Sequence, residues 1–140
     1  MDNFRNAAKA FIVDNQRLLM LKRRPNDPHK PGSWDIPGGR LEMGENPYTG
    51  LSREIKEETG AEITIIMPID VRHFTRDDGQ TVTLTIYLCK LLGDKIVLSE
   101  EHTEYRWVHM DDERDIIPEF FLDSVNNFKQ YLNHGKIRDS

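Results

Sequence analysis

Residues 39–61 read GRLEMGENPYTGLSREIKEETGA, and what the second half of that stretch forms decides the fold. Asn46 is a good helix N-cap, Pro47 suits the first helical position, and Gly60 suits the position just past the end, so a helix is expected over Pro47–Thr59. Side chains three and four apart share a helix face, which projects Glu54, Glu57 and Glu58 together and turns Leu51 and Ile55 toward a core. Like charges at that spacing cost about 0.2–0.5 kcal/mol per pair. A hard cation, Mg²⁺ or Mn²⁺ rather than zinc, would remove the repulsion and use the converging oxygens. Taken alone, the same residues read equally well as a solvated Glu/Lys face.

Outward from this helix the chain alternates strand and turn signals. AAKAFIV and RLLMLKRR are apolar-rich runs joined at Asp14-Asn15, a hairpin pattern. RPNDPHKPG is dense in Pro and Gly and reads as an exposed loop. SWDIP is a short strand, and Pro37-Gly38-Gly39 a turn with freedom to bend sharply. AEITIIMPIDVRHF is β-branched, with a kink expected at Pro68, and Asp78-Gly79 is a further turn. QTVTLTIYLCKLL alternates, with Val82, Leu84, Ile86 and Leu88 on one buried face, and YRWVHM is a last short strand. From about 118 to 134, Phe121, Val125, Phe128 and Leu132 fall at helical spacing and predict an amphipathic C-terminal helix. The pattern predicts one α/β (α+β) domain over residues 1–140, a mixed sheet layered with helices.

Composition narrows the function classes. The chain has 140 residues, 31% of them charged, and a net charge of −5, so broad nucleic-acid binding is not expected. No apolar run approaches the ~20 residues of a membrane span. The N-terminal MDNFRNAAKAF lacks a secretory h-region. Cys89 is the single cysteine, which excludes an internal disulfide and fits a reducing, cytoplasmic location. Within an apolar strand Cys89 reads as a small core hydrophobe.

The helix and its flanks resemble the Nudix box, G-x5-E-x7-R-E-U-x-E-E-x-G-U with U apolar. Gly39, Glu45, Arg53, Glu54, Ile55, Glu57, Glu58 and Gly60 all match, and Ala61 stands where a larger aliphatic is commoner. LLMLKRR and GSWDIPGG upstream and EYRWV downstream look like the flanks of the MutT-type branch, so the resemblance covers roughly residues 7–110. It implies a mixed β-sheet between α-helices, the box forming loop–helix–loop, and Mg²⁺-dependent hydrolysis of a nucleoside diphosphate linked to another moiety. Homodimers are common in the family; the sequence leaves oligomeric state open.

On that resemblance Glu54, Glu57 and Glu58 are the expected metal ligands, and Glu45 orients Arg53 rather than binding metal. One of the ligands, or Glu101 or Glu104 outside the box, would deprotonate the attacking water, although either of these last two reads equally as a solvated loop acid. Gly38 and Gly39 would let the loop pass close to the metal. Arg23 or Arg24, ending a strand, would contact phosphate through a guanidinium fork, against the plainer reading of a surface basic pair. Phe74, His73, Trp34, Phe120 and Phe121 are aromatics able to stack on a base, but such residues are more often core. His29, His102, His109 and His134 show no metal-ligand spacing.

The signatures that mark ADP-ribose and dinucleoside polyphosphate enzymes of the family would fall at Arg76 and Asp78, and neither is present. The resemblance therefore implies a (deoxy)nucleoside triphosphate pyrophosphohydrolase giving a nucleoside monophosphate and pyrophosphate, with nucleotide-pool sanitation as a role. The alternatives are hydrolysis of a nucleotide sugar or other NDP-X, and a non-catalytic ligand-sensing module. The intact box carboxylates weigh against the last.

Overall fold

The computed structural model describes residues 3–138. Seven strands form one mixed sheet: β1 (Phe4–Asp14), β2 (Arg17–Arg23), β3 (Trp34–Asp35), β4 (Gly38–Arg40), β5 (Glu62–Thr75), β6 (Thr81–Leu92) and β7 (His102–His109). The main path runs β3-β2-β1-β6-β5, with β4 paired to β1 and β7 to β2. β1 and β6 are parallel over Phe4–Ile12, and every other pair is antiparallel. Helix α1 (Pro47–Thr59) covers one face and helix α2 (Leu122–Asn133) the other.

Strand alternation divides the core between the two faces. Phe11, Val13, Leu18, Met20, Leu84 and Ile86 meet Val125 and Phe128 of α2. Ala10, Ile12, Leu19, Leu21 and Cys89 meet Leu51 and Ile55 of α1. The expected face of Val82, Leu84, Ile86 and Leu88 is the α2 side, and the opposite residues Tyr87 and Cys89 are buried as well. Burial pushes the Cys89 thiol up to about 12, so it behaves as a core group.

Three local outcomes differ from the sequence reading. The β1–β2 turn is Asn15-Gln16, both at positive φ, rather than Asp14-Asn15, because Asp14 pairs with Arg17 across a two-residue loop. Gly38 and Gly39 pair with β1 as a strand instead of forming only a turn. The C-terminal helix begins at Leu122, and the residues before it coil into two short 3-10 turns at Arg114–Ile116 and Glu119–Phe121. At Pro68 the β5–β6 register shifts on both sides of the proline, which an edge strand tolerates. Among the described residues, no helix is long and apolar enough to cross a membrane.

Candidate active site

Helix α1 is closed at both ends as its sequence dictates. The Asn46 side chain accepts from the Tyr48 N–H at 2.9 Å, and Gly60 takes the left-handed conformation, φ 70°, that lets its N–H reach the Lys56 carbonyl. Arg53 is gripped from the loop before the helix. Its Nε donates to Glu45 Oε2 at 3.0 Å and its Nη2 to Glu45 Oε1 at 2.9 Å. The remaining nitrogen, Nη1, reaches Glu54 at 3.3 Å and Glu57 at 3.4 Å. The hydrogen bond from Arg53, helped by the Glu42 backbone N–H, holds the Glu45 carboxyl at about 2. Gly50 makes room for this loop: a Cβ there would lie 2.8 Å from the Glu45 carboxyl carbon and oxygen.

Glu58 points the other way, into the protein, and is buried. Its Oε1 accepts the Gly38 N–H at 2.7 Å. Burial raises this carboxyl to about 8, with Glu54 and Glu101 adding to the rise and Lys9 and the Gly38 N–H opposing it. Burial likewise raises Glu54, where Arg53 opposes the rise and Glu57 adds to it. Gly38 sits so close to β1 that a Cβ would fall 2.3 Å from the Ala8 carbonyl oxygen, at φ 130°. A Cβ at Gly39 would lie 3.3 Å from Glu54 Oε2. The two glycines therefore do different work: Gly38 admits β4 to the sheet, and Gly39 leaves space beside the Glu54 carboxylate.

The facing wall comes from the segment that leads into β7. The Glu58 carbonyl accepts from the Ser99 N–H at 3.3 Å and the Thr59 carbonyl from the Val97 N–H at 2.8 Å, which ties this segment to the end of α1. Between them lies an open cleft of about 290 Å³ lined by Glu57, Glu58, Ser99, Glu100 and Glu101. Glu58, Glu101 and His102 offer ligand atoms that all lie within 4.8 Å of one another. Glu54 and Glu57 stay on the same helix face without joining that trio, Glu57 being exposed. Glu104 stands on β7 opposite Lys22, also exposed and outside the trio.

His102 was given no role by its sequence spacing. It reaches the cluster because the β2–β7 register jumps from Lys22↔Glu104 to Arg23↔His102, a bulge with no sequence signature. Burial lowers its pKa, with Arg23 acting in the same direction.

The two neighbouring arginines are not equivalent. Arg23 donates to Asp35 through Nε at 3.0 Å and Nη2 at 2.6 Å, and pairs with Asp27 at 3.2 Å. Asp35 is buried and also meets Lys9 Nζ at 3.2 Å; against the effect of burial, Lys9 and Arg23 hold its carboxyl low. Arg24 is tied to the site by its backbone, whose N–H donates to the Glu101 carbonyl at 3.0 Å. Its side-chain Nε is buried without a hydrogen-bond partner among the described residues.

Four of the five candidate stacking residues lie on the α2 side of the sheet. Trp34, Phe74 and Phe120 pack partly buried against the core there, and Phe121 is buried within it. His73 shares a hydrogen bond with Thr83.

Comparison with known proteins shows the family and the fold. The family model described as NUDIX domain matches residues 3–125. The chain is 37% identical over 112 residues to the nucleoside triphosphatase NudI of Escherichia coli K12, covering 72% of this chain and 79% of that protein. It is 35% identical over 82 residues to the 8-oxo-dGTP diphosphatase of Proteus vulgaris, covering 58% and 71%. The crystal structure of a MutT protein from Methanosarcina mazei Go1 superposes with a TM-score of 0.80 at 26% identity, covering 92% of this chain and 95% of that one.

Proposed function

The chain belongs to the Nudix family of hydrolases that act on phosphoanhydride bonds, and from that premise we propose that it is a Mg²⁺-dependent (deoxy)nucleoside triphosphate pyrophosphohydrolase. Water adds across one phosphoanhydride of the triphosphate, and the products are a nucleoside monophosphate, pyrophosphate and a proton. Two relatives at about this similarity carry nucleoside triphosphate activities in their names. The observation that carries the reading is the convergence of Glu57 and Glu58 from α1 with Glu101 across one open cleft.

The donor set fits a divalent cation. Burial and mutual charge raise Glu54 and Glu58, and a divalent cation would offset both effects. A hard cation held by Glu54, Glu57 and Glu58, with Mn²⁺ as a substitute for Mg²⁺, supplies charge neutralisation for the polyphosphate and an acidified water. The protein's own groups do the rest. Gly38 fixes the rotamer of Glu58 through its N–H, and Glu45 clamps Arg53, which in turn aligns Glu54 and Glu57. Arg24, beside Glu101 and with side-chain donors to offer, binds the polyphosphate; Arg23 is committed to Asp35 and Asp27. One of the cleft carboxylates, Glu101 among them, accepts the proton of the attacking water.

The test is product analysis with NTPs, dNTPs, 8-oxo-dGTP, ADP-ribose and nucleotide sugars, with Mg²⁺ and with chelator. Chelator-sensitive release of pyrophosphate from a triphosphate is expected. Two monophosphates from a sugar nucleotide, with triphosphates untouched, would overturn the substrate class.

A further inference from the structure

The carboxylates of α1 account for an oxygen-only cation site, but His102 has no place in it. The imidazole arrives at the site by a specific device. Pairing of β7 with β2 skips Thr103 between Glu104 and His102, and a bulge of this kind re-aims the side chain beside it. Regular alternation past Glu104 would have made Thr103, not His102, the residue on the face toward α1. The bulge delivers His102 instead, next to Glu101 and across from Glu58.

Two observations single out His102, the first of them separate from the acidic cluster. Its Nδ1 is buried and finds no hydrogen-bond partner among the described residues. A buried ring nitrogen without a partner costs about 1–3 kcal/mol, so such atoms call for an explanation. One ligand atom each from Glu58, Glu101 and His102 also fall within 4.8 Å of one another. Ligands about 2.1 Å from a shared ion lie between roughly 3 and 4.2 Å apart, so a movement of up to about 1–2 Å by Glu101, which is exposed, completes the contact.

We propose that His102 is a nitrogen ligand, with Glu58 and Glu101, to the divalent cation of this cleft, which makes the site a mixed N/O centre that binds Mn²⁺ or Co²⁺ more tightly than its carboxylates alone would, alongside Mg²⁺. The inference deepens the hydrolase reading of the same site and rests on it only for the presence of a cation there. Imidazole suits borderline transition ions and adds little for Mg²⁺, which prefers oxygen in octahedral geometry. Glu58 then serves as the hinge of the centre, shared between the helix carboxylates and the Glu101–His102 pair.

The experiment is pulsed electron paramagnetic resonance on untagged, metal-stripped protein loaded with one equivalent of Mn²⁺. Wild type is expected to show ¹⁴N modulation from a directly bound imidazole. His102→Ala and His102→Gln are expected to lose it while still binding Mn²⁺ through carboxylates, at least ten-fold more weakly, with Mg²⁺ affinity changed less than three-fold. Circular dichroism of the variants checks that the fold is intact. Bound Mn²⁺ without ¹⁴N modulation overturns the proposal, as does modulation that survives in His102→Ala, or no Mn²⁺ binding at all. Nucleotide hydrolysis is measured on the same samples. Modulation without any hydrolysis would overturn the hydrolase reading and leave His102 a ligand, whereas hydrolysis without modulation would do the reverse.

Discussion

The backbone N–H of Gly38 donates to Glu58 Oε1 at 2.7 Å, so a residue at the edge of the sheet sets the rotamer of a buried carboxyl on the facing helix. Helix and sheet meet at this bond, and both partners are constrained from behind. Gly38 is pressed against the Ala8 carbonyl, and Glu58 is enclosed by the Ser99–His102 segment.

The first consequence is a pH dependence. Burial raises the Glu58 carboxyl from an ordinary 4.5 to about 8 in the folded, metal-free chain. Between those values the folded protein holds a proton that the unfolded chain has released, so stability falls as pH rises through the window, by at most about 1.4 kcal/mol per pH unit. His102, lowered by burial, works in the opposite sense below 6.5. The readout is therefore a difference: thermal melts in chelator from pH 5 to 9 should fall more steeply for wild type than for Glu58→Gln. Saturating divalent cation should abolish the fall, since binding it releases the same proton. Parallel curves for the two proteins would remove Glu58 as the source.

The adjacent glycines should fail differently. In Gly38→Ala the new Cβ would lie 2.3 Å from the Ala8 oxygen and 2.6 Å from the Lys9 Cα, at a φ of 130°. Strain and overpacking together should cost about 2–5 kcal/mol, read as a fall in urea midpoint or as insoluble expression. In Gly39→Ala the atoms nearest the new Cβ all belong to the Glu54 carboxylate, the first at 3.3 Å. Its stability should change by less than about 1 kcal/mol, with a gain from reduced unfolded-state entropy partly offsetting the contact. Turnover should drop at least ten-fold as Glu54 is displaced. Equal stability losses in both variants would contradict this division.

What the sequence made legible follows the range of the signals involved. Asn46, Pro47 and Gly60 act on their own neighbours, and the helix they bound runs Pro47–Thr59 as expected. Glu45 and Arg53 were paired from the family resemblance, and their two-pronged contact is present. The β1–β2 turn moved by one residue because register, set by Val13 opposite Leu18, outranked the turn propensity of Asp14-Asn15. His102 was passed over because its position depends on a bulge between strands some 80 residues apart, which no local pattern encodes. Gly50, Lys9 and Asp35 escaped notice for the same reason: each matters through a contact with a distant segment. Arg23 and Arg24 could not be told apart, since only the presence of Asp35 and Asp27 around one of them separates their roles.

Glu45 and Arg53 should behave as one unit. Arg53→Lys replaces a guanidinium that spans both oxygens of Glu45 and still reaches Glu54 and Glu57, and an ammonium cannot hold three carboxylates in that geometry. A fall in kcat of about ten-fold to a thousand-fold is expected, with Tm changed by only a few degrees. Glu45→Gln should cost less, since one oxygen still accepts. The double variant should be about as slow as Arg53→Lys alone, because Glu45 acts through Arg53. Additive losses in the double-mutant cycle would show that Glu45 acts on the reaction independently.

Arg23 and Arg24 offer the sharpest contrast between holding the fold and holding the substrate. Arg23→Ala removes the main partner of buried Asp35, leaving only Lys9 to neutralise it, and should destabilise the protein by about 2–4 kcal/mol. Its KM should stay within about three-fold in whatever fraction remains folded. Arg24→Ala breaks no ion pair of the folded chain seen among the described residues, so Tm should move by no more than two or three degrees. Loss of its contacts with the polyphosphate should raise KM for a triphosphate ten-fold or more, and the loss should shrink as salt is added, because screening weakens the wild-type contact. Melting curves and initial rates on the two single variants decide the matter. If Arg24→Ala leaves KM unchanged while Arg23→Ala raises it, the assignments of the two arginines exchange.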